Sequence, residues 1–269
     1  MRRSVFATPY LIWMILFIVV PLLLIIYYAF TADGSFSFAN LAKAFEPIYF
    51  SVLLRSLMIA GLCTVICLLL GYPLAMILAR SSASTSFILM LIMLPMWMNF
   101  LLRTYAWLAL LDTNGLINRI ISLMGFPKAQ LLYNLPSIVF GMVYNFLPFM
   151  ILPIYTVLQK IPRSLIEAAE DLGADSYTVF KKVTLPLSVP GIISGITMVF
   201  MPAVTTFAIS RLLGGSHFMM LGDLIENQFV FLRDWNFGSA LSFVMMVIIL
   251  ISMAILSKTE SFEEGDQLW

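Results

Sequence analysis

Residues 160–190 read KIPRSLIEAAEDLGADSYTVFKKVTLPLSVP, and this long amphipathic stretch decides how the 269-residue chain is interpreted. Ser164 followed by Glu167 has the spacing of a capping box, in which the serine oxygen accepts the glutamate amide hydrogen and the carboxylate reaches back. The helix so started runs to Leu172, where Gly173 supplies a left-handed stop. The stretch therefore predicts a short helix that begins at a capping box and ends at a glycine.

A second short helix is predicted directly after the first. Asp175 can cap this helix, which carries Tyr177, Phe180 and Val183, and Pro186 ends it. The first helix has small alanines beside acidic side chains, and anionic lipid repels an acidic polar face. Docking into a groove of a partner protein is therefore favoured, while a helix that rests on lipid headgroups stays open as the alternative.

The composition places most of the chain in lipid. Hydrophobic residues make up 61% and charged residues 11%, the mean hydropathy is +1.00, and a soluble domain carries about 25% charged residues. A bilayer core needs about 20 apolar residues per helix. Six stretches reach that length, at about 9–30, 56–79, 86–111, 136–158, 190–212 and 237–257. We therefore predict an all-α integral membrane protein with six transmembrane helices.

The charged loops predict the orientation. An even number of spans puts both termini on the same side of the membrane. Three arginines lie at helix ends, and without them eight Lys and Arg residues fall on the side of the termini against four on the other. Both termini are therefore expected in the cytoplasm. Residues 1–258 are predicted to form one permease domain with residues 160–190 as a cytoplasmic loop, and residues 259–269 a short acidic cytoplasmic tail.

The side chains that most membrane carriers and enzymes need are missing from the sequence. None of the six apolar stretches contains Asp or Glu within its core, which argues against a proton- or sodium-coupled carrier. There is no GxxxxGK[ST] loop for ATP, and the single histidine, His217, cannot build a metal or hydrolytic site. Cys63 and Cys67 lie inside an apolar run. No catalytic residue, metal or cofactor is predicted, and the net charge of +1 gives no field for nucleic acid.

Seven residues of the stretch follow the spacing EAA-x3-G-x9-I-x-LP, with valine in place of isoleucine: Glu167, Ala168, Ala169, Gly173, Val183, Leu185 and Pro186. This pattern resembles the EAA motif of the binding-protein-dependent ABC importer permeases. In that family the segment is a coupling helix that docks in a cleft of a separate ATPase. The resemblance implies the smaller, six-span type I (MetI-like) fold, with this loop between helices four and five.

The same resemblance implies a complete importer. The expected partners are an ABC ATPase dimer, a second homologous permease subunit that forms a heterodimer with this chain, and an extracytoplasmic substrate-binding protein. The expected location is the bacterial cytoplasmic membrane. ATP hydrolysis is then expected in the partner subunit, and this chain is expected to be no enzyme.

Softer similarities extend along nearly the whole chain and resemble the spermidine/putrescine permeases of that family, at 94–97 with 102–107, 147–150, 212–215 and 221–235. Polyamines are therefore the expected solutes. Arg103 and Arg211 oppose a path for cations, so a permease for another solute, such as an anion, thiamine or iron, is kept as the alternative. A stand-alone carrier or channel is the remote alternative.

A conduit for flexible polycations needs aromatic faces, amides and hydroxyls. Residues of these types in spans three to five are Trp97, Asn99, Tyr105, Tyr144, Asn145, Thr205 and Thr206. Asp223 and Glu226 are three apart in an outer loop and can either draw cations to the mouth or contact the binding protein. Gly191 and Gly195 predict close packing against a helix of this chain or of the second permease subunit.

Overall fold

The computed structural model describes residues 9–32, 34–81, 85–215 and 218–266, with side chains in these ranges except at 86 and 257–266. The chain divides into two compact units. The first unit contains residues 1–55 and 220–251, and the second contains residues 56–219 and 252–269. Most of the described backbone is helical, so the predicted all-α membrane fold is confirmed.

The first half of the chain forms seven helices or helical segments and one small hairpin. These are α1 (Pro9–Ala29), β1 (Thr31–Ala32), β2 (Ser35–Phe36), α2 (Ala39–Ala44), α3 (Pro47–Arg80), α4 (Thr85–Met93), a 3-10 turn (Leu94–Trp97), α5 (Phe100–Leu111) and α6 (Leu116–Leu123). The two strands pair antiparallel, with Thr31 opposite Phe36. The second span, predicted at 56–79, begins earlier because Pro47 is a favourable first helical residue.

The second half contains α7 (Leu135–Leu158), α8 (Arg163–Asp171), α9 (Ser176–Thr205), α10 (Ala208–Gly214), α11 (Leu221–Glu226), a π turn (Asn227–Leu232) and α12 (Trp235–Asp266). Helix α12 continues through most of the predicted acidic tail, whereas the apolar span within it, Trp235–Leu256, ends next to the predicted residue 257. The side of the membrane on which this end lies stays a prediction, and residues 267–269 lie outside the described residues.

The third span is not the continuous helix predicted for 86–111. Residues 87–97 and 100–123 meet at an angle of 92°, because the backbone becomes extended at Met98 and Asn99. Pro95 lies in the 3-10 turn just before this break. The described residues hold five helices that are long and apolar enough to cross a membrane, or six if this bent pair forms one span.

The fifth span begins and ends earlier than the predicted 190–212. Helix α9 starts at Ser176 and passes through Pro186, which was predicted to end a separate short helix. A π turn, Phe180–Thr184, ends two residues before that proline. Such a turn changes the pairing of the carbonyls with which a proline ring would clash. The helix ends at Thr205, where Thr206 is extended, and α10 follows as a separate helix.

Helices α7 and α9 pack closely in the second unit. A Cβ atom on Gly191 would lie 3.0 Å from the Pro153 carbonyl oxygen, and one on Gly195 would lie 3.2 Å from the Met150 carbonyl oxygen. The close packing predicted for these glycines is therefore confirmed. The helix that they face is α7 of this same chain.

Polar contacts and aromatic rings connect the elements of the first unit. The carbonyl of Thr31 accepts hydrogen bonds from the Asn236 amide at 2.8 Å and the Asn40 amide at 3.1 Å. Phe237 is fully buried and its ring centroid lies 4.8 Å from that of Tyr49. The start of α12 is thereby attached to the hairpin.

Candidate functional site

The EAA segment folds as a surface helix, but its start differs from the predicted capping box. Helix α8 begins at Arg163, and Pro162 occupies the N-cap position without any side-chain cap. Ser164 therefore lies one residue inside the helix. With Pro162 at the N-cap, the third helical position is Leu165 rather than Glu167, so the predicted capping box does not start this helix.

The end of α8 agrees with the prediction. Gly173 has φ +83° and donates to the Glu170 carbonyl at 2.8 Å, while Ala174 donates to the Ala169 carbonyl at 3.1 Å. This pair of bonds is the Schellman motif, which pairs otherwise free carbonyls at a helix end. A glycine is needed there because other residues rarely adopt this backbone conformation.

One face of α8 is turned toward the spans of its own chain. Arg163, Ile166, Glu167 and Glu170 line a cavity of about 390 Å³ together with the ends of α3 and α7 and the start of α9. These four positions are spaced three and four apart, as one side of a helix requires. Glu167 therefore lies on the cavity side of α8, although it is also exposed.

The opposite face of α8 is open. Leu165 is 46% exposed and Leu172 is 90% exposed, and Ala168 between them is also exposed. Exposing an apolar stripe of a surface helix to water costs free energy unless another surface covers the stripe. The open side of α8 thus presents two leucines and an alanine, whereas Glu167 is also exposed but lines the cavity on the other side.

The rest of the motif lies at the start of α9. Asp175 caps this helix by accepting the Thr178 amide hydrogen at 3.3 Å, and the hydrogen bonds from Thr178 hold the pKa of the Asp175 carboxyl below its usual range. Val183 and Leu185 are half-buried and Pro186 is exposed. The EAA helix is thereby connected to a membrane span by the short linker after Gly173.

The candidates around the break in the third span differ in their roles. Trp97 is 83% exposed and Tyr105 is 53% exposed. The Asn99 side chain accepts the amide hydrogens of Leu101 and Leu102, so it caps α5. Asn99 therefore has a structural role at the bend that its residue type alone did not indicate.

An aromatic cluster joins α5 to α7. The Trp107 ring lies 4.6 Å from Phe140 and 5.2 Å from Tyr144, edge to face in both cases. Asn145 is next to this cluster in sequence and is 3% exposed. Its amide donates to Gly141 at 2.8 Å, whereas its buried Oδ1 atom has no hydrogen-bond partner within the described ranges.

Trp107 and Phe140 were not among the candidates predicted from the sequence. Both lie in apolar runs, where an aromatic residue has no distinguishing spacing. Only the packing of α5 across α7 brings their rings next to Tyr144.

Most of the remaining candidate side chains make contacts with residues close to them in the sequence. The Thr205 hydroxyl is 3.3 Å from the carbonyls of both Met201 and Pro202, and Thr206 is buried where α9 ends. In the first unit, Asp223 is 4% exposed and accepts the Met220 amide hydrogen at 3.0 Å. Glu226 is half-buried on the same short helix, so Asp223 at least is not displayed to solvent.

Arg103 and Arg211 have different surroundings. Arg211 is exposed. Arg103 is 8% exposed on α5, and its Nε and Nη1 atoms are buried without a hydrogen-bond partner in the described part of the chain. A buried guanidinium with free donors is costly unless an acceptor reaches it.

Known proteins are similar to this chain in sequence and in fold. The family described as "Binding-protein-dependent transport system inner membrane component" matches residues 68–259. The spermidine/putrescine transport system permease protein PotB of Haemophilus influenzae is 38% identical over 89% of this chain and 87% of its own length. PotB of Escherichia coli K12 is 35% identical over 90% of this chain and 92% of its own length.

Solved structures show the same fold at low sequence identity. A bacterial ABC transporter involved in the import of the acidic polysaccharide alginate superimposes with a TM-score of 0.81 and 16% identity, over 95% of this chain and 94% of that one. A second structure of an alginate ABC transporter, in complex with a pentasaccharide-bound periplasmic protein, gives 0.81 at 15% identity, over 94% and 91% of the two chains.

Proposed function

The chain belongs to the binding-protein-dependent transport system inner membrane components, and from that membership we propose that it carries spermidine and putrescine through the membrane while a separate ATPase supplies the energy. Two relatives that are named for spermidine and putrescine match it at 38% and 35% identity over about nine-tenths of the chain. The proposed transporter is thus a multi-pass inner-membrane subunit of an importer.

The observation that carries the coupling part of the proposal is the two-sided arrangement of α8. One face lines a cavity against the chain's own spans, and the other presents Leu165, Ala168 and Leu172 to a partner. A short helix whose end is fixed by a Schellman motif moves as a rigid unit when a partner binds its outer face. The short linker after Gly173 then transmits the displacement to α9.

The EAA motif residues have two roles in this proposal. Ala168 belongs to the face that docks, and Gly173 sets the angle between α8 and the segment that follows. The other five residues, Glu167, Ala169, Val183, Leu185 and Pro186, lie toward the cavity, toward the spans or at the start of α9. These five residues hold the docking face in position from the side of the membrane spans.

The proposed assembly follows from the same premise. We expect an ABC ATPase dimer against α8, a second homologous permease subunit beside this chain, and an extracytoplasmic binding protein on the opposite surface. Docking to an ATPase requires α8 to lie in the cytoplasm, which places both termini there as well.

A charged substitution on the outer face of α8 tests whether the ATPase docks there. Leu172 is 90% exposed, so Leu172→Glu costs little in the isolated chain, but it buries a carboxylate against the partner. We expect at least about a tenfold loss of ATPase binding and of uptake, since a buried unpaired charge costs several kcal/mol. Co-purification of the ATPase and uptake in cells measure the two effects.

Leu123→Glu is the matched control, because Leu123 likewise lies at the C-terminal end of a short helix and is 87% exposed. It should keep wild-type uptake. Equal losses for the two variants would refute docking at α8.

For the solute path, we propose that Asn145 accepts an ammonium hydrogen of the substrate. Its Oδ1 atom has no described partner, Pro148 has no N–H to offer the Tyr144 carbonyl, and the Trp107, Phe140 and Tyr144 rings are attractive to cations. Acceptors and aromatic faces of this kind suit a protonated amine. Opening of α5 from α7 would expose them during transport.

Asn145→Leu should raise the KM for spermidine about tenfold, since a hydrogen bond to a charged group contributes roughly 1.5–3 kcal/mol. Thr156→Val on the same helix is the control, because the exposed Thr156 hydroxyl donates to the Leu152 carbonyl one turn back. Concentration-dependent uptake of labelled spermidine measures both. An unchanged KM in Asn145→Leu would remove Asn145 from the path.

Import of another solute is the second candidate, and the buried Arg103 guanidinium favours it because an anion would supply the missing acceptors. Uptake of labelled spermidine by cells with and without the chain, in competition with unlabelled putrescine, thiamine, iron chelates and small anions, separates the candidates. We expect uptake to depend on the chain and to be competed by putrescine. Normal uptake after deletion would contradict the polyamine assignment.

A further inference from the structure

The cavity behind α8 lies at a membrane boundary. Its lining includes Arg80 and Leu158, the last residues of two spans, and Ser176, the first residue of a third. Residues at the ends of spans lie at the depth of the lipid headgroups. A molecule that enters this cavity from the bilayer would therefore arrive with its headgroup first.

Charges of both signs line the cavity without neutralising one another. Arg80 and Arg163 contribute two guanidinium groups, and Glu167 and Glu170 contribute two carboxylates. No ion pair joins these four side chains in the structure as described for 9–32, 34–81, 85–215 and 218–266. A ligand with a single charge would be attracted by one pair and repelled by the other, whereas a ligand with both charges satisfies both pairs.

A buried hydroxyl is a second, independent sign of a ligand. Thr184 lines the cavity and is 3% exposed. Its Oγ1 atom is buried and has no hydrogen-bond partner among the residues that the structure describes. Buried hydroxyl groups are nearly always paired with protein, water or ligand.

We propose that this cavity binds the headgroup of a zwitterionic phospholipid that carries a primary ammonium, with the phosphate on Arg80 and Arg163 and the ammonium on Glu167 and Glu170. Guanidinium groups pair with phosphate oxygens in planar, two-bond geometry. The ammonium donates three hydrogen bonds, which the carboxylates and the Thr184 hydroxyl can accept. The apolar wall, which includes Met76 and Ile161, suits the glycerol end of the lipid.

This chemistry distinguishes between related lipids. A quaternary ammonium headgroup has no N–H to donate, so phosphatidylcholine leaves the carboxylates without hydrogen bonds. A purely anionic headgroup, such as phosphatidylglycerol, meets Glu167 and Glu170 with like charge. Soluble glycerophosphoethanolamine offers the same charges as the proposed lipid, but without acyl chains to hold it at the boundary.

Native mass spectrometry of the full chain, purified with the subunits that accompany it, tests the site. Phosphatidylethanolamine, phosphatidylcholine and phosphatidylglycerol with identical acyl chains are titrated separately. We expect phosphatidylethanolamine to bind about tenfold more tightly than phosphatidylcholine, as hydrogen bonds to charged groups would give. Glu170→Gln and Arg80→Gln should each reduce this ratio toward one, and Thr184→Val should reduce it in part.

Arg119→Gln is the control, because the Arg119 guanidinium bonds to the Asn114 carbonyl in another loop, and it should leave the ratio unchanged. Equal affinity for the two zwitterionic lipids, or tightest binding of phosphatidylglycerol, would overturn the proposal. Displacement of the lipid by glycerophosphoethanolamine at equal concentration would assign the site to a soluble ligand instead. Binding is measured without transport, so failure here is distinguishable from failure of the polyamine assignment.

Discussion

Gly173→Val is expected to reduce solute uptake to below about a tenth of the wild-type rate while the protein stays in the membrane. Gly173 has φ +83°, and a residue with a side chain loses roughly 1–2 kcal/mol in that conformation, more if it is β-branched. No atom lies within 4 Å of where the Cβ would be, so the whole effect comes from the backbone. Relief of the strain unwinds the end of α8 and changes the direction of the docking face.

Gly125→Val is a closely matched control for this variant. Gly125 has φ +84°, and open space surrounds its Cβ position as well. It ends α6 with the same pair of bonds, from Gly125 to Ser122 and from Phe126 to Ile121. The strain is the same, but α6 is outside the proposed coupling segment.

The two glycine variants are compared by uptake and by their amounts in the membrane. We expect Gly125→Val to transport at close to the wild-type rate. Similar uptake by both variants would mean that the geometry at the end of α8 has no special part in transport.

The largest loss of folded protein is expected for Gly191→Leu. A Cβ atom there would lie 3.0 Å from the Pro153 oxygen and 3.1 Å from the Ile154 Cα atom. Both contacts are with backbone, so α9 must move away from α7 along its length. Overpacking of this kind costs roughly 1–3 kcal/mol, or more where backbone has to shift.

Gly61→Leu is the control for crowding. Gly61 lies inside the long helix α3, and nothing lies within 4 Å of its Cβ position. Thermal unfolding in detergent and the yield of folded chain measure both variants. Equal melting temperatures would show that α7 and α9 do not need their close approach.

The sequence was most informative where a rule concerns a few neighbouring residues. The glycine stop at Gly173 and the cap at Asp175 are both present in the structure, because each depends only on local backbone geometry. The fold class followed from the amount of apolar sequence. The capping box at Ser164 failed because the proline before Arg163 shifted the helix start, and the pattern rule carries no information about that shift.

Features that depend on packing across the chain could not be predicted. Prolines are ambiguous in a membrane helix: Pro186 continues α9 after a π turn, whereas Pro95 comes just before a 92° break. Which face of α8 looks inward is likewise decided by the ends of three spans. Glu167 consequently lies on the cavity side, although its sequence neighbourhood suggested the docking side.

ATP-driven uptake in proteoliposomes tests the central claim most directly, namely that a separate ATPase acts on this chain through α8 to move polyamines. Vesicles contain this chain with its companion permease and ATPase, and labelled spermidine and the binding protein are supplied on the outside. We predict accumulation that requires ATP inside the vesicles and is lost in Leu172→Glu. Accumulation that persists without nucleotide, or without the ATPase subunit, would contradict the account.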